Sequence, residues 1–290
     1  MDQLAIWKQK GIEWQEDVPG ATLSTFRSGG TVHYVVYPKD EIELETVVSS
    51  LKGMRYHLLG LGSNTLVSDH GLEVVVSTRH LAGAQVEGES IVAWAGEPMP
   101  KVAELAKANA LTGAEWMTGI PGSIGGAVKM NAGAYGHGMA DIVDKVLVLE
   151  DGALRWLTAK DLKFGYRTSA LRGIAVKVVM RLKSGDRAAI ESTMEQIRLI
   201  RARTQPHEPS LGSVFKAYQG RPAAPYIQAA GMKGVKIGQA KVSGLHCNFI
   251  VNQGGATSRD YLRLADSVQD KVYETAGIRL EREFVLATDE

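Results

Sequence analysis

Residues 119–136 read GIPGSIGGAVKMNAGAYG. Six of these eighteen residues are glycine, and Lys129 is the single charge among them. Glycine removes the Cβ and admits left-handed backbone, so successive amide N–H groups can turn toward one concave point and hold phosphate oxygens. The stretch has a counterpart. GLGSNTLVSDHG, residues 60–71, follows the apolar run YHLL directly. Ser63, Asn64 and Ser123 add short polar side chains beside the bare backbone. Two such loops suit a pyrophosphate gripped from both sides. The plainer reading is a pair of tight turns in a β-rich fold, and spacing alone does not separate the two.

Neither loop is a Walker motif, because no Gly-Lys-Ser/Thr follows. GLGSN lacks the third glycine and the immediate helix of a Rossmann fingerprint, which argues against a nicotinamide site of that type.

The chain around these loops is of ordinary globular composition: 290 residues, 44% hydrophobic, 22% charged, formal net charge +1. A near-neutral chain has no global field for nucleic acid or anionic lipid. The single cysteine, Cys247, excludes an internal disulfide and reads as a small buried hydrophobe. No Cys/His grouping has metal spacing, so no metal is expected. The N-terminus MDQLAIWKQKGIEW has no signal-peptide pattern. No apolar run reaches the roughly 20 residues of a membrane span. The expectation is a cytoplasmic protein with no membrane and no obligate protein partner.

Local patterns outline the elements. TVHYVVYP (31–38) reads as a strand, with Asp40 capping a helix that carries Leu44, Val47 and Leu51. LEVVVST and SIVAWAG are further strands, and Pro100 opens a helix. IVDKVLVLEDGALRWLT reads as a hairpin turning at Asp151-Gly152. IAVKVVMRLKSG is a strand; Ile190, Met194 and Ile197 mark an amphipathic helix ending near Arg203. RTQPHEPSLGSVFK is poor in apolar residues and is the expected domain boundary. Thr257 or Ser258 caps a last helix bearing Tyr261, Leu264, Ala265, Val268 and Val272, and Gly277 ends it. IRLEREFVLA (278–287) reads as a strand with Ile278, Leu280, Phe284 and Leu286 on one face and Glu281 and Glu283 on the other.

Three further groups could carry chemistry. Arg167, in FGYRTSAL, offers a fork for a carboxylate or phosphate. Ser213, in SLGSVFK, lacks the flanks of a nucleophile elbow, so proton donation suits it better than attack. Glu283 would project from the final strand.

Taken in order, TFRSGG, GLGSNTLVSDHG, GIPGSIGGAVKMNAGAYG, YRTS, GSVFK, AGMKGVKIGQAKVS, HCNFIVNQGGAT and LEREF resemble the UDP-N-acetylenolpyruvoylglucosamine reductases, over about residues 22–286. The length resembles the compact type, without the inserted tyrosine loop. The resemblance implies an α+β fold. A two-subdomain FAD-binding unit of the vanillyl-alcohol-oxidase (PCMH) type would span 1–203, with subdomains of about 1–80 and 81–203. An α+β substrate-binding domain would span 204–290, its final strand returning toward the flavin. It implies NADPH-dependent reduction of UDP-N-acetylglucosamine enolpyruvate through FAD, in peptidoglycan precursor synthesis. Two alternatives stay open: another FAD-dependent oxidoreductase of this fold, and a non-catalytic binding paralogue.

By the same resemblance, FAD would contact Gly60, Leu61, Gly62, Ser63, Asn64, Thr65, Leu66, Gly119, Pro121, Gly122, Ser123, Gly125 and Gly126. Ser213 would be the proton donor, with Arg167 and Glu283 acting on the developing enolate. Asn131, Tyr135, Tyr166 and Lys216 would face the substrate. The chain departs from the family pattern at Thr204, Leu211 and Ala217-Tyr218, in the region expected to hold the nucleotide.

Overall fold

The computed structural model describes residues 3–290. The chain divides into two compact units, each threaded more than once. One comprises Met1–Gln15, Val35–Leu61 and Val75–Arg201; the other comprises Glu16–Tyr34, Gly62–Val74 and Ala202–Glu290. A four-stranded sheet orders Glu13–Pro19, Thr31–Tyr37, Leu72–Ser77 and His57–Leu59, and the chain passes from one unit to the other within three of these strands. Asp40 caps the helix Glu41–Ser50, its carboxylate accepting the Glu43 amide at 2.8 Å. That cap satisfies one of the orphan donors every helix start carries.

The first unit is built on a five-stranded antiparallel sheet in the order Ala153–Thr158, Val143–Glu150, Ile174–Arg181, Ser90–Trp94, Ala84–Glu87. The hairpin turns at Asp151-Gly152, both with positive φ. Ile91, Val146, Val148, Val178 and Met180 project from one face into the core. Helices Met99–Ala108, Ile124–Met130 and Arg187–Thr204 bring Val102, Val128, Ile190 and Met194 against it.

The second unit holds a four-stranded antiparallel sheet, in the order Ser210–Ser213, Phe249–Asn252, Ala240–Val242, Lys236–Ile237. Helix Ser258–Ala276 packs on it through the stripe predicted for it: Tyr261, Leu264, Ala265, Val268 and Val272 are all buried. Thr257 and Asp260 cap it reciprocally, and Gly277 ends it in the left-handed conformation.

The compact units cut across the segments 1–203 and 204–290. Glu16–Tyr34 and Gly62–Val74 fold with the C-terminal part because their polar groups are satisfied there. Asn252 Nδ2 donates to the Phe26 carbonyl at 2.8 Å, and the Asp69 carboxylate accepts the Ser258 and Arg259 amides at 2.8 Å each. The final strand is also shorter than 278–287; only Val285–Ala287 is strand, parallel to Thr65–Val67. The Glu283 amide donates to the Val214 carbonyl, whereas that of Val285 donates to Asn64. The change of partner between them interrupts the alternation, so Leu286 is 39% exposed while Ala287 is buried.

Candidate active site

In the first unit, Arg167 sits in a tight turn. The Gly165 amide donates to the Thr168 carbonyl at 3.0 Å and the Thr168 amide donates back at 3.3 Å, leaving Tyr166 and Arg167 at the tip. Arg167 has φ +55°, a conformation costing a non-glycine residue about 1–2 kcal/mol. Neighbours hold it there. Asn131 Nδ2 donates to the Gly165 carbonyl at 2.8 Å, and Arg167 Nη2 donates to the Gly133 carbonyl at 3.2 Å. The guanidinium lies over the Tyr166 ring, 5.2 Å from its centroid.

Asn131 closes helix Ile124–Met130 in the left-handed conformation, and its Oδ1 accepts the Ala140 amide at 3.0 Å. Both ends of its amide therefore serve the fold. Lys129 Nζ donates to the Leu171 carbonyl, and Ser169 Oγ donates to the Lys129 carbonyl. The helix end and the Arg167 turn are thus stitched together. They border an open cavity of about 360 Å³, lined by Asn131, Gly133, Ala140, Asp141, Tyr166 and Arg167. Tyr135 stands on the neighbouring loop, 43% exposed, its phenol bonded to the Arg201 guanidinium. Burial lowers the pKa of Arg201, and the tyrosine contact offsets part of that.

The glycine loops are less open than their composition suggests. In the second loop, Ile124 donates to Glu97 at 2.9 Å and Gly125 to Ala95 at 2.7 Å, while the Gly122 carbonyl accepts the Met99 amide at 2.9 Å. Gly125 is needed for packing: a Cβ there would stand 2.8 Å from that of Ala95. Among the described residues, the amides of Gly122 and Ser123 have no backbone partner. Pro121 has no amide hydrogen to offer. Gly119 has φ +74° and lies against the Arg201 side chain. The Ser123 hydroxyl, buried, lies against Gly60, where any Cβ would overlap it. Gly126 offers its amide to the same hydroxyl at 3.4 Å.

In the first loop, the Gly62 carbonyl accepts the Thr25 amide, and a Cβ at Gly62 would run into the Leu23 carbonyl. Asn64 Nδ2 donates to the Glu283 carbonyl at 3.1 Å, Ser24 Oγ donates to the Thr65 carbonyl at 2.7 Å, and Leu66 is wholly buried. The carbonyls of Gly62, Asn64 and Thr65 accept hydrogen bonds from the protein, while the amides of residues 61–64 have no backbone partner among the described residues.

Ser213 and Glu283 belong to the second unit. Ser213 ends its strand opposite Phe249, after a bulge in which Gly212 has φ +77°. Asn248 clamps the next two residues. Its carbonyl accepts the Val214 amide at 2.8 Å, its Oδ1 accepts the Phe215 amide at 3.0 Å, and its Nδ2 donates to the Phe215 carbonyl at 2.8 Å. From the other side, Glu283 donates its amide to the Val214 carbonyl at 2.8 Å. Phe284 is anchored edge-on against Tyr261, ring centroids 5.0 Å apart. Lys216 has its ammonium 2.5 Å from Glu281 Oε1.

Asn248 and His246 lie outside the residues expected at the site. The His246 Nδ1 accepts the Asn248 amide at 3.2 Å, so the neutral ring carries its proton on Nε2. Burial lowers its pKa and favours that neutral form. Only its position, three residues before the partner of Ser213, could have singled it out. Leu211 is a core residue, and burial raises the pKa of the enclosed Cys247 thiol. The described residues contain no His/Cys/Asp/Glu group able to hold a metal and no helix long and apolar enough to cross a membrane.

Two family models match the chain: an FAD binding domain over residues 32–158, and the C-terminal domain of UDP-N-acetylenolpyruvoylglucosamine reductase over residues 205–287. The UDP-N-acetylenolpyruvoylglucosamine reductase of Thermotoga maritima is 38% identical over 270 residues, covering 90% of this chain and 94% of its own. That of Limosilactobacillus fermentum is 40% identical over 281 residues, covering 94% and 93%. The crystal structure of the reductase from Thermus caldophilus superposes with a TM-score of 0.84 at 33% identity, over 96% of this chain and 99% of that one. A berberine bridge enzyme variant shares the fold over 64% of this chain and 44% of its own, with a TM-score of 0.51 at 15% identity. The fold is α+β, with an FAD-binding part of the PCMH type. The chain belongs to the UDP-N-acetylenolpyruvoylglucosamine reductase family.

Proposed function

We propose that the protein reduces UDP-N-acetylglucosamine enolpyruvate to UDP-N-acetylmuramate with NADPH, through bound FAD, in the cytoplasmic synthesis of peptidoglycan precursors. Residues 1–203 supply the FAD-binding groups and residues 204–290 supply Ser213 and Glu283, although the compact units interleave the two segments. The cofactor fits what the loops offer: a close approach of Gly60 to the Ser123 hydroxyl that a side chain would prevent, and amides at 61–64, 122 and 123 without backbone partners. When bound in these loops, FAD would supply the two-electron chemistry between NADPH and the enolpyruvyl double bond.

The chain's own groups complete the reaction. The Arg167 guanidinium receives the substrate carboxylate, where negative charge accumulates as hydride arrives. One well-placed donor of this kind is commonly worth about 3–4 kcal/mol in the transition state. The Ser213 hydroxyl donates its proton to the adjacent carbon, and Glu283 acts on the same enolate. Alcohols are weak acids, so this donor relies on position. Asn131 and Tyr166 shape the substrate side of the Arg167 turn, together with Tyr135.

The observation that carries this reading is the Glu283–Val214 hydrogen bond, which ties two candidate groups, remote in sequence, into adjacent segments. The test is to purify the protein, record flavin absorbance, and follow NADPH oxidation with and without the enolpyruvyl UDP-sugar. Bound flavin with substrate-dependent oxidation is expected. Absence of flavin, or flavin without substrate dependence, overturns the reading.

A further inference from the structure

Arg282 stands between Glu281 and Glu283 and joins two parts of the second unit. Its backbone forms one antiparallel rung opposite Phe215. Two hydrogen bonds make that rung: the Lys216 amide donates to the Glu281 carbonyl and the Glu283 amide to the Val214 carbonyl, each at 2.8 Å. Its side chain reaches helix Ser258–Ala276. Nε donates to Gln269 Oε1 at 3.1 Å, and Nη2 pairs with the Asp266 carboxylate. Gln269 returns a bond to the same segment, its Nε2 donating to the Leu280 carbonyl at 2.7 Å. Asp266 and Gln269 are three residues apart on the helix, so they lie on one side of it, next to the buried stripe that carries Ala265 and Val268.

The strap 280–283 is thus bonded to the Ser213 segment through Glu281 and Glu283, and to the helix through Leu280 and Arg282. The helix side depends on the guanidinium. By donating to Oε1, Arg282 holds the Gln269 amide the right way round for its Nε2 to meet the Leu280 carbonyl. A planar fork presents donors on two edges at fixed angles, so two acceptors on one rigid helix set its direction as well as its distance. A lysine ammonium carries no such fork. The ion pair itself adds little to folding: the Arg282 and Asp266 side chains are 35% and 55% exposed, and water screens pairs of that kind. What the arrangement supplies is placement.

We propose that Arg282 is a positioning residue for the substrate half of the reaction: by fastening the strap to the last helix it sets where the Glu283 carboxylate stands relative to the Ser213 hydroxyl. The inference rests on the roles proposed for Ser213 and Glu283. Glu283 is the next residue along the strap and is half-buried, so a tilt of the strap carries its carboxylate with it. The same tilt pulls on Val214 and Lys216 through the rung, one and three residues from Ser213. Displacing a reacting group by about 1 Å can cost about a hundredfold in rate. Arg282 acts through the backbone of the strap.

The test compares the flavin-loaded parent with Arg282→Met, Arg282→Lys and Gln269→Ala by stopped-flow absorbance. Arg282→Met keeps an apolar stem and loses the fork. It is expected to slow the limiting rate of flavin reoxidation by the enolpyruvyl UDP-sugar about ten- to hundredfold, with half-saturation and flavin reduction by NADPH each within about twofold of the parent. Arg282→Lys should recover part of the rate and carries the comparison if Arg282→Met does not accumulate. Gln269→Ala should slow the same half-reaction and add less than its own effect to Arg282→Met, as members of one network do. A second reading needs no turnover: deuterium exchange at the Lys216 and Glu283 amides should be about tenfold faster in Arg282→Met. Reoxidation within twofold of the parent overturns the inference, and so does unchanged exchange at both amides. Equal slowing of the two half-reactions also overturns it, since that marks general distortion. Faster exchange in Arg282→Met of a protein whose parent shows no turnover would overturn the proposed function while supporting the hold of Arg282 on the strap.

Discussion

The Glu283 amide donates to the carbonyl of Val214, the residue that follows Ser213, at 2.8 Å. The carbonyl of Glu283 in turn accepts from Asn64 at 3.1 Å. A residue near the C-terminus is thereby strung by its backbone between the candidate proton donor and the first glycine loop. Its side chain is then placed by main-chain geometry, which resists mutation better than side-chain contacts do.

Ser213→Ala should leave bound flavin reducible by NADPH and slow its reoxidation by the enolpyruvyl UDP-sugar by about 10² or more, the usual contribution of a positioned proton donor. Stopped-flow absorbance of the flavin separates the two half-reactions. Reoxidation at the parent rate would remove Ser213 from the role.

Asn248→Ala strips the Phe215 amide and carbonyl of their partners in a buried setting. A cost of about 2–3 kcal/mol in urea unfolding is expected. The substrate half-reaction should also slow more than the NADPH half-reaction, because Phe215, two residues after Ser213, loses its side-chain restraint. An equal effect on both would mean that Asn248 acts on stability alone.

Gly60→Ala should give protein depleted in flavin, since the new methyl overlaps the Ser123 hydroxyl. Gly53→Ala serves as the control, because a Cβ there meets nothing within 4 Å, although φ +83° strains it. Pairing Gly60→Ala with Ser123→Gly should restore part of the flavin content. Equal flavin in the parent and the single Gly60→Ala variant would show that this contact does not shape the cofactor site.

Tyr261→Phe should raise the melting temperature or leave it unchanged. The Tyr261 hydroxyl is buried without a hydrogen-bond partner, and burial pushes its ionisation well above the ordinary range. Replacing an unsatisfied buried hydroxyl by hydrogen removes a penalty of about 1–3 kcal/mol while the edge-on contacts to Phe26 and Phe284 remain. A clear loss of stability would show that the hydroxyl has a partner in solution.

His246 links stability to pH. Burial lowers its pKa in the folded protein, so the unfolded chain takes up a proton first as the solution is acidified. Its contribution is fully present above the ordinary histidine value of about 6.5 and is lost as pH falls from there through the lower folded value. His246→Gln should flatten the stability profile on the acid side of that value. Unfolding midpoints measured at several pH values check this, and an unchanged acid slope would exclude His246 as its source.

Elements with local causes were legible before any coordinates. The helix Ser258–Ala276 has its cap at Thr257 or Ser258, its stripe from Tyr261 to Val272 and its stop at Gly277 written within twenty-odd residues; the stripe and the stop appear as read, and of the two cap candidates the helix uses Thr257. The hairpin at Asp151-Gly152 is equally local, since only its two turn residues need positive φ. The ordered motifs also led to the family, because eight short signatures in sequence order are specific where each alone is not.

Pairings over long sequence distances had no local signature. The final strand breaks because residues 281–285 exchange one backbone partner for another, and alternation cannot report which carbonyl an amide will meet. Residues 16–34 and 62–74 fold with the C-terminal part because their polar groups find partners there, although their composition resembles that of their neighbours. The same holds for Asn248, an unremarked residue in HCNF that becomes the clamp on the Ser213 strand. It holds for Arg282, flanked by two acids in sequence, which only the folded chain sets against Asp266 and Gln269 of the last helix. Local conformational preference is encoded residue by residue; which distant groups satisfy one another is decided by the closure of the whole chain, and in this protein the candidate chemistry lies in those closures.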